Sequence, residues 1–330
     1  MSTRILLDTN VWRYLVDSDG LEAVYRAAKG ADGAILACPA VLYEMLRCGD
    51  LSLRQRLVKA ICRSRWIRMM PEAYEESMEL LQETRRLRPL WLITSPNLRE
   101  FNQLHADWRG ERGVWWRARR DAAEAGSWLE EVEGDLVSRA RGGTVKLREE
   151  MRGQTPFERM ELERWTATFP QQPAGWDGKP VETWRAMTLQ YFASTLLTRD
   201  GAYAPVREWL QPWLDVRAIR GDLASLTRLI LHDTDARRMP RNWLRWAVAT
   251  LQATRATSPG SAVDNQIGSY LVDADVFVTA DKVFAAIVQR LRTEAPVPIA
   301  RARLVTSANC AAILAGLVSG SSEEGSSDPS

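Results

Sequence analysis

The chain has 330 residues, with 45% hydrophobic and 26% charged side chains, ordinary values for a globular protein that exclude a disordered or fibrous one. Its formal net charge of +2 is too small to mark a nucleic-acid binder by itself. Two histidines (His105, His232) and four cysteines (Cys38, Cys48, Cys62, Cys310) without a CxxC spacing exclude the usual zinc site and a histidine-centred hydrolase, so any catalysis must lean on carboxylates.

MSTRILLDTNVWRYLVD does not read as a signal peptide, and no apolar run approaches the roughly 20 residues that span a bilayer. The expectation is a soluble cytoplasmic protein with reduced cysteines and no membrane partner. Residues 4–7 form a short apolar run ending in Asp8-Thr9-Asn10, and the amphipathic stretch Val11 to Val16 follows: a buried strand, a polar turn, a helix. Residues 34–37 give a second strand, and Pro39 suits the first turn of a helix reaching Arg47. Leu53, Leu57 and Ile61 stripe a helix over 51–63, and residues 66–70 give a third strand. Pro71 opens a helix over 72–86 whose charge runs from acidic to basic, as the helix dipole favours. The order βαβααβα argues for a parallel, doubly wound sheet.

Between about residues 89 and 259 strand patterns vanish, and the reading is an all-α insertion with helices over 97–109, 115–136, 156–168, 181–197, 223–232 and 240–256. Strand logic returns after Pro259-Gly260. A helix over 262–272 leads to a strand over 276–278 and the turn Thr279-Ala280-Asp281; a helix over 282–292, a strand within 297–305 and a helix over 310–318 complete the pattern. The tail from Ser319 is low-complexity and reads as disordered. The expected organisation is therefore a discontinuous α/β domain over 1–88 and 260–318, the insertion over 89–259, and the tail over 319–330.

Asp8 and Asp281 each follow the C-terminal end of a strand, the edge where open parallel sheets bind ligands. Glu44 sits one and a half turns into the helix after the second strand, and Asp264 at the start of the helix before the fourth. All four can lean over one edge. Four carboxylates in one pocket repel one another, which raises their pKa values unless a cation is present. Mg²⁺ or Mn²⁺ is the natural cation, able to activate water and stabilise the leaving oxygen in phosphodiester cleavage.

At these residues the chain resembles PIN-domain proteins: ILLDTN (5–10), LYEMLR (42–47) and AVDNQIGSYLVDADVFVTAD (262–281) look like the family's three motifs in order, with 17 positions separating Asp264 and Asp281. The resemblance covers about residues 1–88 and 260–312. It implies a three-layer α/β/α fold, Asp8, Glu44, Asp264 and Asp281 as catalytic metal ligands, Asn10 and Thr279 as supporting polar groups, and a Mg²⁺ or Mn²⁺ requirement. It further implies endoribonuclease activity, of the kind found in VapC-type toxins, with an antitoxin-like protein partner. The departure is the long interval between Glu44 and Asp264.

Other readings stand beside it. Asp8 can serve as a helix cap, Glu44 can pair with Arg47, and Asp273 and Asp275 read as turn residues. A non-catalytic PIN-like scaffold binding RNA or protein, and a DNA nuclease using the same acids, remain alternatives to the ribonuclease. A haloacid-dehalogenase-type phosphatase fits less well, because its D-x-D-x-T pattern meets Asn10 and Trp12 here. Arg56, Lys59 and Arg63 share a helix face that could track phosphates. Arg117, Arg119 and Arg120, beside Trp115 and Trp116, could grip single-stranded nucleic acid, although core packing is the first expectation for that tryptophan pair.

Overall fold

The computed structural model describes residues 2–31, 33–127, 129, 157, 160–169, 171–198, 201–254 and 261–320. The N-terminal part runs β1 (Arg4–Leu7), α1 (Thr9–Asp17), α2 (Leu21–Lys29), β2 (Ala34–Ala37), α3 (Pro39–Leu46), α4 (Leu51–Ile61), β3 (Ile67–Arg68) and α5 (Glu72–Leu87). The middle segment contributes α6 (Arg99–Arg109), α7 (Val114–Arg120), β4 (Thr166–Ala167), β5 (Val181–Glu182), α8 (Thr183–Leu197), α9 (Ala204–Leu210), α10 (Val216–Gly221), α11 (Leu223–Arg228) and α12 (Pro240–Ala253). The C-terminal part adds α13 (Ser261–Gly268), β6 (Val276–Thr279), α14 (Lys282–Glu294), β7 (Arg301–Leu304) and α15 (Cys310–Ser319).

Five strands form one parallel sheet in the order β3-β2-β1-β6-β7. The apolar runs explain its centre: Ile5, Leu6 and Leu7 of β1 and Phe277 and Val278 of β6 are fully buried, as strands covered on both faces must be. Arg301 and Arg303 mark β7 as an edge strand, where charge discourages further pairing. The chain leaves β1 toward β2 on one side and returns beside β1 at β6, so the topological switch lies between those two strands. Leu7 pairs with Val278, and the ladder extends one step further through Asp8 N–H to the Val278 carbonyl (3.0 Å). Asp8 and Thr279 therefore face each other across the crevice that such a switch opens.

The α/β class and the parallel sheet are as the sequence leads one to expect, and the middle segment departs from it in detail. It is not all-α, because β4 and β5 pair antiparallel within it. The helix expected over 156–168 gives way, among the described residues, to a 3₁₀ turn at Leu162–Arg164 followed by β4. Trp165 supplies the reason: its carbonyl accepts both the N–H (2.9 Å) and the hydroxyl (2.9 Å) of Thr183, tying it to the first residue of α8 just past β5 instead of a helical turn. The single helix expected over 115–136 breaks at Asp121, whose carboxylate caps the next turn through Ala123 and Glu124 N–H; residues 130–136 lie outside the described ones. The expected N-terminal order lacked α2, and α9 and α10 were likewise not anticipated. At the other end α15 runs through Ser319 and stops at Gly320, which takes the left-handed conformation that closes a helix; the rest of the expected tail lies outside the described residues. One hydrophobic core contains residues of both the sheet region and the middle segment, among them Leu6, Phe277, Phe192 and Leu244. Among the described residues no helix is long and apolar enough to cross a membrane.

Candidate active site

Asp8 ends β1 and begins α1. One carboxylate oxygen accepts the Thr9 N–H at 2.6 Å and the other the Thr279 hydroxyl at 2.7 Å, with the side chain of Asn10 also steadying it. The residue is 4% exposed. Burial pushes its pKa up, and the charge of Asp281 adds to that rise; the hydrogen bonds from Thr279, Thr9 and Asn10 oppose it. Thr279, fully buried at the end of β6, also accepts the Asp281 N–H at 2.9 Å. A single threonine thus links the first and last acids of the constellation. Asp281 caps α14 by accepting the N–H groups of Val283 (2.7 Å) and Phe284 (3.0 Å).

Glu44 reaches the group from α3, a helix buried along most of its length. Its carboxylate accepts the Thr9 hydroxyl at 2.5 Å. Burial raises its pKa and so does the charge of Asp8, while the hydrogen bond from Thr9 and the charge of Arg47 pull the other way. Asp264, in the first turn of α13, accepts the Gln252 side-chain amide at 2.9 Å. Its pKa is pushed up to about 8, first by burial and then by the charges of Asp8, Asp281 and Glu44. Asp264 feels all three other acids, which is the mutual repulsion expected when carboxylates from distant parts of a chain share one pocket.

The structure therefore brings together Asp8, Glu44, Asp264 and Asp281 with Asn10 and Thr279, six residues singled out from the sequence. It adds two that sequence reading passed over. Thr9 joins Asp8 to Glu44, and its only signal in the sequence is its place inside the DTN motif. Gln252 comes from α12 in the middle segment, and no local pattern distinguishes it from a polar residue of an ordinary helix. Among the described residues no three His, Cys, Asp or Glu side chains are gathered closely enough to hold a metal ion as they stand. Each carboxylate is held instead by a hydroxyl, an amide or a helix N-terminus. The donor chemistry nevertheless fits a hard divalent cation, because every donor is oxygen and a cation offsets the burial and the mutual repulsion that raise the pKa values of Asp8, Glu44 and Asp264.

The remaining candidates fall elsewhere. Asp275 accepts the Arg4 N–H (2.7 Å) at the opposite edge of the sheet, and Asp273 makes a two-pronged pair with Arg241 (2.6 and 2.9 Å). Arg56, Lys59, Arg63 and Arg119 do converge, lining a cavity of about 660 Å³ with Tyr25 toward the far end of α1. Asp19 and Glu22 share that lining, and Glu22 pairs with Arg63 at 3.0 Å, so its charge is mixed. Arg117 is clamped by Asp107 (both contacts 2.6 Å), and Arg120 lies over the Trp116 ring at 5.0 Å. Trp115 is fully buried, as core packing predicts, whereas Trp116 is half-exposed.

Comparison with family models, with curated proteins and with solved structures yields no match.

Proposed function

We propose that the chain is a Mg²⁺- or Mn²⁺-dependent nuclease with a PIN-like, three-layer α/β/α arrangement, acting on RNA as an endoribonuclease. One observation carries this reading: four carboxylates from β1, α3, α13 and the end of β6 act on one another at the switch point of a parallel sheet. Asp8, Glu44, Asp264 and Asp281 would hold the ion, with Thr279, Thr9 and Asn10 orienting Asp8 and Glu44. When bound, the ion supplies water activation and charge stabilisation at the phosphate. The protein's own share is to present hard oxygens from rigid element ends and to keep Asp8 out of bulk water. Ion binding requires the carboxylates to exchange some of their present hydroxyl and amide partners for the cation.

The test is cleavage of a panel of RNA and single- and double-stranded DNA with Mn²⁺ or Mg²⁺, beside Asp8→Asn. Metal-dependent RNA cutting lost in the variant is the expected result, and equal activity in both proteins would sink the assignment. Preference for DNA would keep the acids and change the substrate. Growth arrest on expression, relieved by a co-expressed partner, would extend the reading to a toxin with an antitoxin. A second reading, a non-catalytic PIN-like scaffold binding RNA or protein, draws support from the separate partners that now hold each carboxylate. Calorimetric titration with Mn²⁺ discriminates, since a scaffold binds no ion at millimolar concentration.

A further inference from the structure

Gln252 occupies the last turn of α12, on a helix whose neighbouring Val248 and Leu251 are fully buried. A glutamine carried into such surroundings must satisfy both ends of its amide or lose their hydration without return. Only one end is satisfied. Nε2 donates to Asp264, while Oε1 is buried without a hydrogen-bond partner, and the whole residue is 4% exposed. The placement is rigid, because α12 packs tightly on α13: a Cβ on Gly268 would come within 2.8 Å of a Val248 methyl. An orphaned carbonyl oxygen therefore stands beside a carboxylate that already feels the charges of Asp8, Glu44 and Asp281. Negative ends gather there from two separate parts of the fold. A positive ligand is the economical partner for all of them.

We propose that Gln252 belongs to the candidate site, its Nε2 positioning Asp264 and its Oε1 serving as an uncharged oxygen donor to the divalent cation. Amide carbonyls are ordinary ligands for hard cations. The inference rests on the metal reading above and deepens it: the middle segment then completes the site, because one of its own helices supplies a ligand and orients another.

The experiment uses the full chain with Mn²⁺ alone, measuring affinity by calorimetry and the melting temperature of the metal-free protein. Gln252→Met keeps length and removes both polar atoms; Gln252→Glu keeps an oxygen and loses the donor. The expected result is Mn²⁺ binding weakened by about 10- to 100-fold in Gln252→Met, as for residues that orient metal ligands. Its metal-free melting temperature should change little, since removal of the unsatisfied oxygen offsets the hydrogen bond lost to Asp264. Gln252→Glu should bind Mn²⁺ at least as tightly as the parent at pH 8 and melt lower without metal. A folded Gln252→Met that binds Mn²⁺ like the parent overturns the proposal. So does a drop in melting temperature with no change in affinity, the mark of a purely structural residue. If Gln252→Met does not fold, the Glu variant decides, and weaker binding there refutes the oxygen-donor role. A parent protein that takes up no Mn²⁺ at millimolar concentration defeats the metal reading itself, a separate failure.

Discussion

Asp8 caps a helix, buries its carboxylate and faces other acids at once, and these roles conflict unless something positive arrives. Helix capping alone would be served by a half-exposed Ser or Thr. The same tension is sharper at Asp264, whose pKa of about 8 keeps it protonated in the metal-free chain at neutral pH. Asp264→Asn retains an oxygen that can accept from Gln252 and removes the group that would ionise. Its metal-free melting temperature should exceed the parent's by a few degrees at about pH 8.5 and match it only below about pH 4, where the unfolded carboxyl is protonated too. Metal-dependent cleavage should fall by about a hundredfold or more, at the upper end of the loss seen for merely orienting residues. Calorimetry at the two pH values together with the cleavage assay checks both halves. A variant that is no more stable at high pH contradicts the cost of ionising Asp264 in this buried, acidic setting.

At the level of elements, α5 and α12 join the middle segment to the sheet region through buried charge, beside the packing of α12 on α13 and of α9 on α5. Glu76, Glu79 and Glu83 lie on a buried face of α5. Glu79 accepts the Arg241 and Asn242 N–H groups (3.0 and 3.3 Å), so one helix caps the start of another. Arg241 pairs closely with Asp273 and lies 3.7 Å from both Glu75 and Glu79. Arg245 approaches Glu76 to 2.8 Å and lies 3.6 Å from the centre of the Tyr191 ring. Arg241→Met strands three carboxylates around one lost cation and should cost about 3–5 kcal/mol, the usual penalty for breaking a buried pair from one side. Urea denaturation measures it, and a loss under 1 kcal/mol would show the network to be ornamental. Gly268→Ala probes the α12–α13 seam. Val is stiff, so the added methyl should cost about 1–3 kcal/mol, with Val248→Ala in the same chain restoring part of it.

Across the whole molecule these buried acids set the direction of pH dependence. Asp264 titrates near 8, and Glu76 and Glu79 near 7, all raised by burial above the 3.8 or 4.5 of an exposed carboxyl. Between those values the folded chain binds more protons than the unfolded one, so its stability falls as pH rises from about 4 to about 8. Below the lower limit the contribution is fully present; above the upper limit it is gone. Metal-free thermal scans should therefore show a melting temperature that declines across this window. Saturating Mn²⁺ should flatten the decline, because an ion that binds only the folded chain stabilises it most where the carboxylates are ionised. A melting temperature that rises with pH over that range would refute the account.

The sequence by itself determined the strands of the parallel sheet and the acids at the ends of β1 and β6, though not the small β4–β5 pair. Runs such as RILL and VFVT have one stable use, a strand covered on both faces, and a carboxylate just past such a run must lie at the sheet edge. That local logic placed Asp8 and Asp281; helix position added Glu44 and Asp264, and the likeness to PIN-domain motifs pointed to Asn10 and Thr279. It failed where no local signal exists. The helix α2 follows Gly20, which offers no side-chain cap, and holds itself by packing Val24 and Ala28. The glutamates of α5 look like a solvated face in sequence, yet they are buried because Arg241 and Arg245 meet them from more than 160 positions away. Gln252 is the extreme case: only the tertiary structure sets it against Asp264, since burial and long-range polar pairing belong to the packed chain and leave no periodic trace in any stretch of it.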